Sequence, residues 1–112
     1  MRPIYHLTLR RVWEEDLDQP YHPNSLAHEG FIHCSFAEQV AWAANRFYTE
    51  AEDLLLLHID TERVTSPIRE EPCDTGEIFP HIYGPLNRDA VTAIEALTRG
   101  PNGWQYPTRP LS

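Results

Sequence analysis

The chain has 112 residues, 41% of them hydrophobic, and a formal net charge of −8. This size and composition predict a single globular domain over residues 1–112. The acidic charge is spread along the chain and disfavours bulk nucleic acid as a partner. No apolar stretch approaches the roughly 20 residues of a membrane span, and the first residues lack the apolar region of a signal peptide. With two cysteines and no CxxC spacing, we expect a cytoplasmic protein with reduced thiols and no membrane partner.

The first part of the chain predicts a strand, a short helix and a loop. Residues 3–9 alternate apolar and polar side chains, which predicts a half-buried strand whose polar face carries His6 and Thr8. Residues 10–18 fit a short amphipathic helix. Residues 19–29 contain two prolines and predict a loop with one turn, a candidate lid over a binding site.

A second strand, at residues 30–34, runs directly into the longest predicted helix. That helix covers about residues 36–49, where apolar side chains recur at helical spacing. Ser35 and Glu38 match the S-x-x-E pattern of a capping box, which predicts that Ser35 caps this helix. The first amides of a helix also attract anions, so Ser35 is equally placed to bind a ligand. Both interpretations of Ser35 remain open.

The second half of the chain predicts mainly strands. Residues 53–60 include four consecutive leucines and fit a central strand buried on both faces. Residues 67–71 fit a short strand. Residues 77–83 alternate as another strand, which Pro80 restricts to an edge or a bulge because it has no N–H to donate. For residues 90–97 the periodicity leaves strand and helix open.

Residues 98–112 hold three prolines and two glycines, which predicts a wrapped or loose tail with Trp104 and Tyr106 as anchors. Together the elements predict an α+β fold. We expect a single domain of mostly antiparallel, twisted sheets with about two helices.

The first functional hypothesis rests on two short segments with the same pattern, a histidine and a hydroxyl residue two positions apart, which we call the sequence echoes. They are His-Leu-Thr at residues 6–8 and His-Cys-Ser at residues 33–35. Residues two apart on a strand share a face. If the two strands lie side by side, two imidazoles and two hydroxyls converge on one patch. Such a patch suits a phosphate, a ribose or acid–base chemistry.

A third segment adds aromatic and acidic side chains. Glu77, Phe79, His81 and Tyr83 alternate along the chain and so share one face of a strand. A stacking surface beside a carboxylate suits recognition of a nucleobase or nicotinamide and stabilisation of an oxocarbenium ion. Asn45 and its neighbour Arg46 are adjacent polar residues in an otherwise alanine-rich stretch of helix, and Asn45 is a further candidate for contact with a ligand.

The sequence also lacks several common signatures. His6, His33 and His81 have neither HExxH nor Cys/His spacing, so we expect no metal site. GxGxxG and P-loop motifs are missing, so a nucleotide must be held in another way. A small phosphorylated or nucleotide-like molecule is the expected partner, because a local site can hold it against the mean negative field.

Three blocks of the sequence resemble the domain-of-unknown-function family 952, a family of small bacterial proteins. They are Ile-Tyr-His-Leu-Thr at residues 4–8, Gly-Phe-Ile-His-Cys-Ser at residues 30–35 and Phe-Pro-His-Ile-Tyr-Gly-Pro-Leu at residues 79–86. The resemblance spans about residues 3–97. That family is grouped with the ADP-ribosyltransferase-like folds, which implies an α+β domain of mostly antiparallel sheet with an NAD-shaped cleft.

The resemblance also implies roles for particular residues. His6 and Thr8 are similar to the first-strand His-Gly-[Ser/Thr] that such enzymes use against the ribose and nicotinamide of NAD, with Leu7 in place of the glycine. Glu77 sits where the resemblance implies a glutamate that stabilises an oxocarbenium-like transition state, and Glu71 competes for that role. NAD is therefore the one cofactor that the resemblance implies.

The sequence leads to three functional hypotheses. The first is a histidine-lined, nucleotide-type cleft that binds NAD or ADP-ribose or transfers an ADP-ribosyl group, with His33 and Glu77 as catalytic residues. The second is a two-histidine phosphoesterase acting on cyclic nucleotide phosphates, with His6 and His33 as its acid and base. The third is a non-catalytic ligand-binding or interaction module. The expected ligand-binding residues are His6, Thr8, Ser35, Asn45, His81 and Tyr83.

Overall fold

The computed structural model describes residues 2–105. In this range the strands are β1 Ile4–Leu9, β2 Ile32–His33, β3 Leu54–Ile59, β4 Ile68–Pro72, β5 Ile78–Ile82, β6 Val91–Ala96, β7 Thr98–Gly100 and β8 Gly103–Gln105. The helices are α1 Arg10–Trp13, α2 Asn24–Glu29 and α3 Val40–Phe47, with 3-10 turns at Ala37–Gln39 and Arg88–Ala90. None of these helices is long and apolar enough to cross a membrane.

The strands form two three-stranded antiparallel sheets and a hairpin. The first sheet has the order β1-β3-β6, the second sheet has the order β2-β5-β4, and β7 pairs with β8. This arrangement confirms the predicted α+β domain with antiparallel sheets and few helices. The segment at residues 90–97, left open by its periodicity, is a strand because it pairs with the free edge of β3.

The run of four leucines forms the middle strand of the first sheet, as predicted, because each of its faces meets a different core. Leu54 and Leu56 pack in a cluster with α3. Leu55 and Leu57 face the other way and pack in a cluster with β5. Each of these side chains is at most 1% exposed, and burying each one stabilises the fold by about 2 kcal/mol.

The two sheets meet where β1 passes the end of β2. Tyr5 N–H donates to the Ser35 carbonyl at 2.8 Å, and Ser35 N–H donates to the Tyr5 carbonyl at 2.7 Å. This isolated bridge brings the two sequence echoes, on β1 and after β2, next to each other although their strands belong to different sheets.

The predicted capping box at Ser35 is wrong. The Gln39 side-chain oxygen accepts from Phe36 N–H at 2.9 Å instead, so the helical segment starts one residue later than expected. It begins with a 3-10 turn at Ala37–Gln39 and ends at Phe47, which makes it shorter than the predicted helix. Because Ser35 is tied to Tyr5 by its backbone, it belongs to the sheet junction and not to the helix.

The two segments before β2 also differ from the prediction. Helix α1 ends at Trp13, five residues early, because the Arg88 guanidinium binds the carbonyls of Trp13, Glu15 and Asp16 that a longer helix would use. The predicted loop contains a helix, α2, rather than a single turn. Gly30 adopts φ +88° directly after α2, a conformation that favours glycine and ends the helix.

The strand that carries Pro80 lies in the middle of the second sheet, so its predicted edge or bulge position is wrong. Pro80 lies opposite Glu70 of β4, and its carbonyl accepts from Cys34 N–H on the side of β2. The N–H and C=O of one residue in an antiparallel strand point to the same neighbour. The missing N–H therefore faces the Cys34 carbonyl just past the end of β2 at His33, so it costs one hydrogen bond at the end of that ladder.

The described part of the predicted tail forms the β7–β8 hairpin, which packs on α3. Trp104 is buried, and its indole N–H donates to the Tyr48 carbonyl at 2.6 Å. Asn45 of α3 binds both the N–H and the carbonyl of Trp104. A Cβ on Gly103 would come within 2.2 Å of the Asn45 side-chain oxygen, so glycine is required there. The remaining tail, with Tyr106, lies outside the described residues.

Candidate functional site

A cavity of about 760 Å³ opens where the two sheets and α3 meet. This volume lies within the range of small-molecule sites, roughly 300 to 1,000 Å³. Three surfaces border it: a polar floor, an imidazole wall and an aromatic wall. The sequence-predicted residues that it brings together are His6, Thr8, His33, Ser35 and His81.

The polar floor consists of His6, Tyr21 and Thr8, joined by hydrogen bonds. His6 Nδ1 lies 2.5 Å from the His33 carbonyl oxygen, and a carbonyl only accepts, so Nδ1 carries a proton. The Tyr21 hydroxyl lies 2.8 Å from His6 Nε2 and 2.9 Å from Thr8 Oγ1. Both nitrogens of His6 are therefore engaged.

Burial keeps His6 uncharged. Desolvation is the largest effect and lowers the pKa of His6 to about 4, against the opposing hydrogen bond to the His33 carbonyl. At neutral pH the uncharged ring donates through Nδ1, and Nε2 lies within hydrogen-bond distance of the Tyr21 hydroxyl. His6 thus links β1 to β2 and orients Tyr21. Neither of its nitrogens is open to the cavity for proton transfer.

Tyr21 is a residue of the floor that sequence reasoning missed. It lies in the segment predicted as a loop, where nothing in the local pattern marks it. Its backbone pairs with Leu86 in an isolated bridge, and its ring packs against Trp13 at 5.1 Å between centroids. Burial raises the pKa of Tyr21, so the hydroxyl keeps its proton.

Ser35 has a hydroxyl that is open to the cavity. Its backbone is used in the bridge to Tyr5, and its side chain makes no hydrogen bond to any residue in the range 2–105. The helix-cap interpretation of Ser35 is therefore excluded. The other interpretation, contact with a ligand, is compatible with its place in the cavity lining.

The imidazole wall consists of His33, His81 and Phe31. His33 Nε2 lies 2.9 Å from a Glu29 carboxylate oxygen, and His81 Nδ1 lies 2.8 Å from a Glu71 oxygen. The two imidazole centroids are 5.4 Å apart. Phe31 stacks on His81 at 4.1 Å with an interplanar angle of 21°. Each imidazole of this wall is thus oriented by a carboxylate.

Glu71, rather than Glu77, is the carboxylate behind this wall. The Tyr83 hydroxyl donates to Glu71 at 2.5 Å, and this bond, followed by the one from His81, lowers the pKa of Glu71. The same bond raises the pKa of Tyr83. Tyr83 therefore supports the wall from behind and is not itself part of the cavity lining within residues 2–105.

The structure does not bring Glu77 or Asn45 to the cavity. A Glu77 oxygen accepts from Gln39 Nε2 at 2.9 Å, and the same amide donates to the Ile78 carbonyl at 2.7 Å. Asn45 is committed to the hairpin through Trp104. Within residues 2–105, the cavity lining includes neither Glu77 nor Asn45.

The aromatic wall consists of Trp42, Phe47, Phe79 and Arg46. Trp42 is 43% exposed and Phe47 is 65% exposed, although both are large apolar side chains. Trp42 stacks with Phe79 at 5.7 Å, and the Arg46 guanidinium lies 5.5 Å from the Trp42 ring centroid. Sequence reasoning missed Trp42 as a site residue. A signal was present, since Trp42 lies off the apolar stripe of its helix.

The fold and the cavity define a small α+β domain with a pocket that is histidine-lined on one side and aromatic on the other. The sequence profile of a family described as a protein of unknown function, DUF952, matches residues 7–94, and the chain belongs to that family. This confirms the family predicted from the three sequence blocks. No protein with a curated function matches the chain.

Solved structures of one relative match most of the chain. They are of protein CC0527 from Caulobacter crescentus, a structural-genomics target, which is 29% identical to this chain. Two crystal structures, one of them of a double mutant, have a TM-score of 0.81 and cover 93% of this chain and 94% of the other. A solution NMR structure has a TM-score of 0.74 and covers 93% and 91%.

Proposed function

We propose that the cavity binds a nucleotide-type small molecule, and that NAD and ADP-ribose are the first ligands to test. The observation that carries the proposal is the division of one cavity of about 760 Å³ into two kinds of surface. One side offers exposed aromatic rings and an arginine, and the other offers hydroxyls and imidazoles. A nucleotide is divided in the same way, into a planar base and a polar sugar-phosphate.

The aromatic wall is suited to the planar part of the ligand. Trp42 and Phe47 expose apolar surface at a position where the native fold gains nothing from it. Stacking of a base on such a ring is worth about 1 to 3 kcal/mol. Arg46 lies beside these rings and supplies a cation for a phosphate, which offsets locally the net charge of −8.

The polar floor is suited to ribose. Ser35 offers a hydroxyl without a protein partner among the described residues, and Thr8 also borders the cavity. The resemblance to ADP-ribosyltransferase-like folds, in which a first-strand histidine and hydroxyl contact NAD, favours NAD and ADP-ribose among nucleotides. In this proposal His6 holds the floor in place rather than touching the ligand through a free nitrogen.

The proposal is of binding rather than of ADP-ribosyl transfer. Transfer needs a carboxylate at the scissile bond, and Glu77 is held by Gln39 away from the cavity. Of the two carboxylates that border the cavity within residues 2–105, Glu29 is already engaged by His33, and Asp74 lies in the turn between β4 and β5. Release of nicotinamide from NAD by the protein would show transfer and would require another carboxylate to act.

Titration of the labelled protein by NMR with NAD, ADP-ribose and AMP tests the proposal. We expect saturable shifts of residues 31–47, and an affinity that falls about tenfold in Trp42→Ala. Ile94→Ala is the matched control, because Ile94 is also an exposed apolar residue, 47% exposed on β6, and does not border the cavity. A folded protein that binds none of the three at millimolar concentration rules the proposal out.

A further inference from the structure

We propose that His33 and His81 act as the base and the acid of a hydrolytic site for nucleoside 2′,3′-cyclic phosphates. This inference rests on the proposed function, because the same cavity must hold the nucleoside. It replaces the pairing of His6 with His33 that the sequence echoes indicated. His6 has both nitrogens engaged, whereas His81, which at 8% exposed is about as buried as His6, has one nitrogen free and lines the cavity.

The sheet register places the reacting groups in one row. His33 of β2 lies opposite His81 of β5, and His81 lies opposite Arg69 of β4. Residues directly opposite each other in antiparallel strands share a face, with Cβ atoms about 4.5 to 5.5 Å apart. Two imidazoles and one guanidinium therefore line up across the second sheet.

Each imidazole in this row has one nitrogen held and one nitrogen open. Glu29 binds His33 Nε2, and Glu71 binds His81 Nδ1. No residue from 2 to 105 hydrogen-bonds His33 Nδ1 or His81 Nε2. A carboxylate that fixes one nitrogen of a histidine orients the other nitrogen for proton transfer. Phe31 holds the His81 ring further by stacking on it.

Arg69 supplies the charge that a phosphodiester needs. It is exposed, does not itself border the cavity within residues 2–105, makes no ion pair within 4 Å to any described residue, and lies 5.1 Å from the Tyr83 ring centroid. A guanidinium with free donors binds phosphate oxygens in a bidentate manner. With it, the row carries the three functions of phosphodiester hydrolysis, which are a base, an acid and a cation.

The chemical step balances without a cofactor. A water molecule attacks phosphorus while neutral His33, the more exposed of the two imidazoles, accepts its proton at Nδ1. The bond between phosphorus and the ribose O2′ breaks, and protonated His81 donates the proton of Nε2 to O2′. The product is the nucleoside 3′-phosphate, and the two histidines return to their starting states by proton exchange with solvent.

The test is hydrolysis of 2′,3′-cyclic AMP, followed by ³¹P NMR in the full-length protein. We expect a bell-shaped pH profile and a loss of kcat of about a hundredfold or more in His33→Gln and in His81→Gln. His58→Gln is the matched control, because His58 of β3 also pairs with a carboxylate, Glu95 of β6 at 2.5 Å, but lies outside the cavity lining. It is expected to keep the wild-type rate.

The outcomes separate this inference from the proposed function. Binding of 3′-AMP in the same preparation without turnover of the cyclic substrate overturns the acid–base pair and leaves nucleotide binding standing. Equal turnover in wild type and His33→Gln also overturns it, and the His33 side chain is 54% exposed, so this variant is expected to fold. A folded protein that binds no nucleotide overturns both. Loss of turnover in both histidine variants, with retained binding of 3′-AMP, supports the pair.

Discussion

The polar floor and the imidazole wall border the same cavity and use the same residue type for opposite purposes. On the floor, His6 is buried, and its two nitrogens bind a carbonyl and a phenol. On the wall, His33 and His81 each bind one carboxylate and keep the other nitrogen open. Burial with neutral partners makes a histidine a structural residue, whereas an ionised partner and access to a cavity make it available for chemistry.

The largest effect on stability is expected from His6→Ala. The substitution leaves the His33 carbonyl without its donor and the Tyr21 hydroxyl with Thr8 as its remaining partner, at a site that is 6% exposed. We expect a loss of about 3 kcal/mol in the free energy of unfolding, measured by urea denaturation. His33→Ala is the control and should change it by less than about 0.5 kcal/mol, because its pair with Glu29 is solvent-exposed. Equal losses would abolish the distinction between floor and wall.

The second prediction is that the free energy of unfolding depends on pH through His6 of the polar floor. The pKa of His6 is lowered from 6.5 to about 4 in the folded protein, so the unfolded state binds more protons between these values. The stability that neutral His6 contributes is therefore present above about pH 6.5, and it is lost as the pH falls towards 4. Between pH 7 and pH 5 the loss from this residue is about 2 kcal/mol.

Urea denaturation of wild type and His6→Gln at several pH values checks this prediction. The slope between pH 7 and pH 5 should flatten in the variant, because glutamine does not titrate. Glu71 is a separate contributor, since its lowered pKa places its loss of stability below about pH 4.5. A variant that keeps the wild-type slope between pH 7 and pH 5 would assign that slope to another group.

A smaller effect is expected from Tyr21→Phe. This change removes the hydroxyl that lies between His6 and Thr8 and keeps the ring that packs on Trp13. The loss should be about 1 to 2 kcal/mol, the cost of unpaired buried polar groups. Thermal unfolding of the variant and of the wild type measures it. A loss in Tyr21→Phe of less than about 0.5 kcal/mol would argue against the hydrogen-bonded floor.

The smallest effect on stability is expected from Ser35→Ala. The Ser35 hydroxyl bonds to nothing in the described part of the chain, so its removal should change the free energy of unfolding by less than about 0.5 kcal/mol. The affinity for ADP-ribose, measured by the NMR titration, should nevertheless fall several-fold. A variant that loses stability but not affinity would return Ser35 to a structural role.

Local patterns in the sequence predicted those elements whose surroundings are uniform. The leucine run of β3 is buried on both faces, so its composition alone identified a central strand. The alternation in β1 correctly placed His6 and Thr8 on one face. The capping box failed because Ser35 is tied to Tyr5, a residue 30 positions away, and the 3-10 turn begins only at Ala37. The position of Pro80 was missed for a similar reason. Whether a proline fits in the middle strand of a sheet depends here on where the neighbouring strand, β2, ends.

The candidate site was predicted in part. The sequence alone identified the histidines, Thr8 and Ser35, because they stand at alternate positions of three apolar segments predicted as strands. The sequence also identified the family. Three short blocks between residues 4 and 86 resemble it, and its profile matches residues 7–94. It could not identify Tyr21 and Trp42, whose roles come from contacts with distant segments.

The sequence by itself determined which residues could do chemistry, and the tertiary structure decided which of them are free to do it. The echo of His6 and His33 made them look equivalent, and nothing local distinguishes the two imidazoles. The pairing of β2 with β5 brings His81, 48 positions further along the chain, beside His33, while the junction of the two sheets buries His6 against a carbonyl and a phenol. Burial and partner identity are long-range properties, and burial is the one that lowers the pKa of His6 to about 4.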